Sequence, residues 1–310
     1  MNKVATLVGC AIGDALGNPF EMRPAISPML TEWDGTFKEG GTFWHGQPGQ
    51  YTDDTLMSMA LAASLLQHQG FNPEDVVQKY LAWMESGNTR GIGGTTAAAL
   101  MRVKLGAHYT ESGLVTNADG SPVGGNGTAM RASPIGLVYR NHLHKLLEVA
   151  MADASITHNS LEPKMGSVAV ALGTALLARE MAHPTGLAKG VAEVLTECEV
   201  QANLIKAATY LEAGTDPALA LPELMTLSNR GYVPETVATA FYCLGATDNF
   251  RDCVVMAVKA GGDTDTTAAV AGALAGTWYG MEGIPEEYQS VENRELLQTL
   301  TDELLGVELQ

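Results

Sequence analysis

The chain has 310 residues, of which 46% are hydrophobic, and its formal net charge at pH 7 is −17. This composition is sufficient for a sizeable core and differs from that of a disordered chain. The charge argues against binding nucleic acid through phosphate contacts and against docking on an anionic membrane, because both surfaces are themselves negative. An anionic small substrate would need local positive charge from metal ions or helix N-termini.

The four cysteines are Cys10, Cys198, Cys243 and Cys253. Their spacing matches no zinc-binding pattern, so we expect reduced core thiols in a cytoplasmic protein. The apolar stretch before Cys10 is too short for a secretory signal. The longest apolar stretch near the C-terminus, Ala268–Met281, is too short to span a bilayer.

The motif "GDALGNPFE" covers the end of the first predicted helix and the loop after it. Asp14 lies near the end of that helix, where we expect it to be a structural hydrogen-bonding residue. Glu21 follows Pro19 in the loop and has no evident partner in the sequence. Glu21 is therefore a candidate functional acid.

Two adjacent carboxylates, Asp53 and Asp54, stand just before an apolar helical pattern that begins at Leu56. One interpretation is capping, because Asp is favoured in the first helical turn and Thr52 is a candidate N-cap. The other is that a shared positive partner holds the two charges together. This stretch alone leaves both open.

Apolar residues at helical spacing predict most of the remaining elements. The segment Asn72–Met84 has a candidate N-cap in Asn72 and a proline in its first turn. Further helices are predicted over 95–106, 165–181, 186–200, 234–245 and 252–261. No persistent strand alternation, linker or repeat is present. We therefore expect an all-α fold, in which one compact domain of many helices spans residues 1–310.

The motif "GGNGTAMR" (Gly124–Arg131) predicts a glycine-rich loop followed by a helix-like segment. The backbone N–H groups of such a loop can bind a diphosphate, although a plain loop is the alternative. Arg131 could pair with a phosphate or with the acidic cluster, and of these a structural ion pair is favoured. His158, in "ITHNS", is either a substrate contact or a solvated residue beside a helix cap.

A second acidic cluster, Asp263 and Asp265, precedes another apolar helix, with Thr266 and Thr267 beside it. Capping is again possible. If this helix start converges with the one after Thr52, four carboxylates share one small volume, and two divalent cations would neutralise them. Hard oxygen ligands suit Mg²⁺ or Mn²⁺ better than zinc. Spacing alone leaves the convergence open.

These motifs occur in the order seen in ADP-ribosylglycohydrolases, which the chain resembles from about Val4 to Tyr288. The matching stretches are "GDALGNPFE", "YTDDT", "GIGGTT", "GNGTAMR", "ITHNS" and "GYVPETVATAFYC" with "GGDTDTTAAVAGALAGTWYG". The resemblance implies a helical bundle with a central two-metal cleft that cleaves the glycosidic bond at C1″ of ADP-ribose.

The resemblance also assigns residues. Glu21, Asp53 and Asp54 would be catalytic. The substrate would contact Gly125, Asn126, Gly127, His158 and Tyr232. The two cations, Mg²⁺ or Mn²⁺, would be held by Thr52, Asp53, Asp54, Asp263, Asp265 and Thr266.

One departure concerns the general base. Some relatives carry an acid just before the "IG-TT" motif, where this chain has Gly91, and the neighbouring Arg90 cannot act as a base. Metal-activated water, helped by an aspartate ligand or by Glu21, is the expected alternative.

The expected substrate is an ADP-ribosylated protein, in the first place one modified on arginine, or a small ADP-ribose conjugate. Serine-linked, O-acetyl and nucleic-acid-linked conjugates stay open, as does a catalytically silent structural or binding protein. Nucleic acid is otherwise not an expected partner, and we expect a monomer.

Overall fold

The computed structural model describes residues 4–225 and 231–309, and these residues form sixteen α-helices. The helices are α1 (Thr6–Gly17), α2 (Pro28–Thr31), α3 (Asp53–His68), α4 (Pro73–Glu85), α5 (Gly94–Lys104), α6 (Tyr109–Ser112), α7 (Ser133–Val138), α8 (Leu143–Thr157), α9 (Leu161–Ala178), α10 (Pro184–Ala192), α11 (Glu199–Glu212), α12 (Pro217–Leu224), α13 (Val233–Gly245), α14 (Phe250–Lys259), α15 (Thr264–Tyr279) and α16 (Arg294–Gly306). Two strands, β1 (Arg23–Pro24) and β2 (Gly261–Gly262), pair antiparallel. The all-α fold expected from the sequence is confirmed.

Helices α1 and α15 pack against each other along their length and are buried over most of it. Small residues permit this approach: a Cβ at Gly13 would lie 1.8 Å from the carbonyl oxygen of Ala268. At the end of α1, the Thr264 hydroxyl donates a hydrogen bond of 2.7 Å to the carbonyl of Gly17. The C-terminus of α1 is thereby held against the first turn of α15.

The other helices surround this pair. Helix α3 contacts α1, α4, α7 and α16, while α9 contacts α7, α8, α13 and α15. Buried apolar side chains from these helices form one continuous hydrophobic core. The acidic starts of α3 and α15 lie at one end of that core, so the packing of α1 positions both.

Helix α4 confirms the interpretation of its sequence, because the Asn72 side chain accepts a hydrogen bond of 3.1 Å from the N–H of Asp75. The helix predicted over 186–200 is wrong in its second half. Helix α10 ends at Ala192, and α11 begins at Glu199. The Gln201 side chain donates to the carbonyls of Ala192 and Leu195, which satisfies backbone groups at the break.

No helix in the described parts of the chain combines the length and the apolar character needed to cross a bilayer. All four cysteines are unpaired; three are buried and Cys198 is partly exposed. The single-domain organisation stays a prediction.

Candidate active site

The start of α3 is organised by Asp14, which is fully buried on α1. Its carboxylate accepts the backbone N–H of Thr52 at 2.9 Å and that of Thr55 at 3.1 Å. It also accepts the Thr55 hydroxyl at 2.6 Å. Burial raises the pKa of Asp14 to about 6, although these hydrogen bonds oppose the rise. Asp14 is thus the structural hydrogen-bonding residue expected from the sequence.

The interpretation of Thr52 as the residue whose side chain caps α3 is wrong. Thr52 occupies the N-cap position of α3, but its side chain makes no capping hydrogen bond. Its hydroxyl instead lies 2.8 Å from Asp14 and 3.2 Å from Asp54. Asp14 accepts the N–H groups of Thr52 and Thr55, so this helix start is capped from α1 and does not depend on the Thr52 side chain.

The start of α15 is brought to the Glu21 loop by the β1–β2 pairing. The N–H of Met22 donates a hydrogen bond of 2.7 Å to the carbonyl of Gly262. Gly261 has a φ of +79°, and a Cβ there would lie 2.5 Å from the backbone nitrogen of Ala25, so this turn requires glycine. As a result, carboxylate oxygens of Glu21, Asp263 and Asp265 lie within 4.8 Å of one another.

The starts of α3 and α15 converge on one cavity of about 310 Å³. This convergence is what spacing in the sequence alone left open. Its lining includes eleven of the twelve site residues expected from the sequence: Glu21, Thr52, Asp53, Asp54, Gly125, Asn126, Gly127, His158, Asp263, Asp265 and Thr266. The acids are largely buried. Asp263, at the N-cap position of α15, makes no capping hydrogen bond, whereas Asp265 accepts the N–H of Thr266 in the first turn.

Crowding of these acids perturbs their ionisation. Burial, followed by the charges of Asp263 and Asp53, raises the pKa of Glu21 to about 8. Burial and the charge of Asp14 raise the pKa of Asp53 to about 8. For Asp265, burial and then the charges of Glu21 and Asp263 raise the pKa well above its usual range. Without a cation, this cavity favours protonated carboxyl groups.

The donor set fits a hard divalent cation. Oδ1 of Asp54 is buried and has no hydrogen-bond partner within residues 4–225 and 231–309. A buried carboxylate oxygen without a partner is costly, and a metal ion would satisfy it. The neighbouring oxygens belong to carboxylates and to the hydroxyls of Thr52 and Thr266, with no thiolate in the lining. This chemistry suits Mg²⁺ or Mn²⁺.

The glycine loop lines the same cavity and pairs with the segment around Tyr232. The N–H of Asn126 donates to the carbonyl of Gly231 at 2.9 Å. The Asn126 side chain donates to Asp263 at 3.0 Å and to the Thr236 hydroxyl at 2.9 Å. Asn126 therefore connects the loop to the acidic cluster. The helix-like segment predicted after this loop is a turn, and the helix itself begins at Ser133.

Arg131 forms a structural ion pair, as favoured from the sequence. It is fully buried, and its Nε donates to Oδ2 of Asp153 at 2.9 Å. It does not line the central cavity, whereas His158 does, at the C-terminal end of α8. His158 is 3% exposed, so the interpretation of His158 as a solvated residue is wrong.

Tyr232 lies outside the central cavity. Its ring packs over Gly124 and faces a neighbouring cavity of about 500 Å³. Its hydroxyl donates a hydrogen bond of 2.8 Å to Glu199. A nucleotide contact by Tyr232 stays a prediction.

Sequence analysis missed the rim of the central cavity near Arg90. The Arg90 guanidinium is paired with Glu292 and lies 4.9 Å from the centroid of the Trp44 ring. Phe43 and Trp44 line the cavity beside it. The aromatic pair in the glycine-rich stretch "GGTFWHG" was the available signal.

Comparisons with known proteins agree with this geometry. The sequence profile of the ADP-ribosylglycohydrolase family matches residues 3–310. The chain is 29% identical to ADP-ribosyl-[dinitrogen reductase] glycohydrolase of Rhodospirillum rubrum, over 93% of this chain and 88% of that one. It is 27% identical to ADP-ribosylarginine hydrolase Tri1 of Serratia proteamaculans, over 96% and 77% of the two chains.

A solved structure described as an ADP-ribosylglycohydrolase-related protein complex superimposes with a TM-score of 0.77 at 29% identity. The match covers 98% of this chain and 97% of that one. Fold, site and comparisons together define a helical hydrolase. The chain belongs to the ADP-ribosylglycohydrolase family. It is a hydrolase that acts on glycosidic bonds of ADP-ribose.

Proposed function

We propose that this enzyme removes ADP-ribose from ADP-ribosyl-arginine in a modified protein, in a reaction that depends on two divalent cations, Mg²⁺ or Mn²⁺. The observation that carries the proposal is the convergence of Glu21, Asp53, Asp54, Asp263 and Asp265 on one cavity. The named activity of the Serratia proteamaculans relative supports arginine as the acceptor.

The proposed ligands of the cations are Thr52, Asp53, Asp54, Asp263, Asp265 and Thr266. When bound, the cations supply positive charge that orients the ribose hydroxyls and polarises the reacting centre. Carboxylate oxygens near C1″ would stabilise the oxocarbenium-like character that develops there during glycosidic cleavage.

Glu21 is the proposed proton-transfer group. Without a cation, burial and then the charges of Asp263 and Asp53 raise its pKa to about 8; bound cations would hold it ionised, so that its carboxylate can accept a proton in the loaded enzyme. At the position of Gly91, a Cβ would lie 3.5 Å from Oδ1 of Asp53, so a side chain there would reach the site. Because glycine offers none, an aspartate ligand or Glu21 is the proposed proton acceptor.

The glycine loop is proposed to bind the diphosphate. The Asn126 N–H is occupied by Gly231, so phosphate oxygens would contact the N–H groups of Gly125 and Gly127 instead. These donors are neutral. The loop can therefore bind a diphosphate without perturbing the cation site beside it.

Turnover measurements test this proposal. Proteins ADP-ribosylated on arginine and on serine are incubated with the enzyme in Mg²⁺, in Mn²⁺ and in chelator. We expect release of ADP-ribose from arginine with either metal, and its loss in chelator. Release from the serine-linked substrate alone would reassign the acceptor. Binding of ADP-ribose without turnover of any conjugate would identify a silent binding protein instead.

Substitution of Gly127 by Leu tests the diphosphate loop. A Cβ at this position would lie 3.0 Å from Cε1 of His158 and 3.4 Å from the Thr96 hydroxyl oxygen, so a larger side chain fills the approach to the loop. We expect the dissociation constant for free ADP-ribose to rise about 100-fold, comparable to the loss of two charge-assisted hydrogen bonds. Calorimetry measures it.

Gly186→Leu is the matched control, because Gly186 is exposed on α10, a Cβ there meets nothing within 4 Å, and it does not line the central cavity. If the Gly127 variant binds ADP-ribose as tightly as wild type while keeping its melting temperature, the loop does not contact the ligand.

A further inference from the structure

Arg131 connects the glycine loop to His158, although its own side chain is completely buried. Its Nη1 donates to the carbonyl of Gly127 at 2.9 Å. Its Nη2 donates to the Thr157 hydroxyl oxygen at 2.9 Å, and that oxygen lies 2.9 Å from Nδ1 of His158. One guanidinium therefore contacts both the loop and the partner of the histidine ring.

The Thr157 hydroxyl carries one proton, and because the group is buried that proton needs a hydrogen-bond acceptor. Its oxygen already accepts a hydrogen bond from Arg131, and Nδ1 of His158 is the acceptor within reach among the described residues. If Nδ1 carried the ring proton, the hydroxyl proton would face that N–H and have no acceptor. Satisfaction of this buried group requires the hydroxyl to donate to Nδ1, which places the ring proton on Nε2.

The charge of Arg131 strengthens this arrangement. Donation by a cation to the threonine oxygen polarises the hydroxyl and makes it a better donor to the ring. Burial, and then the positive charge of Arg131, lowers the pKa of His158 to about 3. The ring is therefore a neutral donor throughout the physiological pH range.

Nε2 faces the glycine loop. A Cβ at Gly125 would lie 3.0 Å from Nε2, and His158 lines the central cavity. Nε2 makes no hydrogen bond to another residue in the described parts of the chain. A proton on this atom is aimed at the place where the proposed function puts a phosphate oxygen.

We propose that Arg131, acting through the Thr157 hydroxyl, fixes His158 as the Nε2–H tautomer, so that the ring donates a hydrogen bond to the diphosphate of ADP-ribose beside Gly125. Arg131 and Thr157 are positioning residues in this arrangement. The tautomer follows from the buried contacts alone, whereas the ligand of Nε2–H rests on the proposed function.

The test compares wild type with Thr157→Val and Thr157→Ser. Valine has the shape of threonine without the hydroxyl, whereas serine keeps the hydroxyl. Thr174→Val is the matched control, because Thr174 is also buried in a helix and its hydroxyl donates to the carbonyl of Val170, away from the site. Histidine ¹⁵N shifts report the tautomer, with the His158 signals assigned by their loss in His158→Gln. Calorimetry reports ADP-ribose binding, and melting curves check the fold.

In wild type we expect an unprotonated Nδ1 and a protonated Nε2 on His158. Thr157→Val should weaken ADP-ribose binding by about 10-fold, comparable to one hydrogen bond to a charged group, and should raise KM more than it lowers kcat. Thr157→Ser and Thr174→Val should bind nearly as wild type does.

A wild-type ring protonated on Nδ1 would overturn the tautomer without any variant. Unchanged binding by Thr157→Val, or equal weakening by Thr157→Ser, would show that the hydroxyl has no positioning role. If wild type fails to bind ADP-ribose at all, the proposed function and the diphosphate contact fail together, while the ¹⁵N shifts still decide the tautomer.

Discussion

Replacement of Asp265 by Asn is expected to reduce hydrolysis of the ADP-ribosyl bond by at least about 100-fold, as expected when a direct metal ligand is lost. The side chain is 5% exposed, and its carboxylate lies within 4.8 Å of those of Glu21 and Asp263. Asparagine keeps the size of the side chain and can still accept the hydrogen bond that Oδ1 takes from the N–H of Thr266. It removes one charge from the proposed cation site.

The same change should leave the metal-free fold intact or make it more stable. Burial and repulsion from Glu21 and Asp263 raise the pKa of Asp265 well above its usual range, and the neutral amide avoids both costs. In Mg²⁺ wild type should be more stable than the variant, because wild type gains more stability from the cation than the variant does. Turnover and melting curves, each in Mg²⁺ and in chelator, separate the two effects.

Asp119→Asn is the matched control for the change in net charge. Asp119 is exposed in a loop and accepts hydrogen bonds from Ser121, which asparagine can also accept. This variant should behave as wild type does. An Asp265→Asn enzyme with normal turnover and a full Mg²⁺-dependent rise in melting temperature would remove Asp265 from the set of ligands.

Local signals explain why most helices could be predicted from the sequence. Apolar spacing, a proline in the first turn and the Asn72 cap all act within one turn of α4, and its predicted bounds are nearly those observed. The break between α10 and α11 depends instead on a distant partner. The Glu162 carboxylate on α9 accepts the N–H groups of Glu199 and Val200, which fixes the start of α11. No sequence feature near residue 193 predicts this contact of Glu162 with the start of α11.

The candidate site also has local features that the sequence predicts and long-range contacts that it does not. The paired acids could be found from the sequence, because each cluster stands directly before an apolar helical pattern, although capping also explains that position. Their convergence could not, since it depends on the backbone contact between α1 and α15 and on the pairing of β1 with β2. The choice between capping and ligation depends on Asp14, which is 38 residues from Thr52 in the chain.

The stability gained from Mg²⁺ is expected to increase as the pH rises from 6.5 to 8.5. In the metal-free protein, burial and neighbouring charges raise the pKa of both Glu21 and Asp53 to about 8, whereas both groups are ionised in the unfolded chain at these pH values. The native state therefore binds more protons than the unfolded state does, and its stability falls as the pH rises through 8. We expect each group to contribute a loss of about 2 kcal/mol between pH 6.5 and 8.5, so the two together cost about 4 kcal/mol in chelator.

Bound cations hold the same carboxylates ionised, so the stability of the metal-loaded protein should be nearly constant over this range. His158 does not change the difference between Mg²⁺ and chelator. Burial lowers its pKa in the native state to about 3, and the unfolded ring loses its proton near pH 6.5, which adds about 0.4 kcal/mol of stability in either condition. The difference in melting temperature between Mg²⁺ and chelator should thus widen by about 6 °C for a chain of this length. Sodium chloride at matched ionic strength controls for screening of the surface charge. A difference that stays constant or narrows toward pH 8.5 would mean that protons and Mg²⁺ do not compete for these acids, and that the cation binds elsewhere.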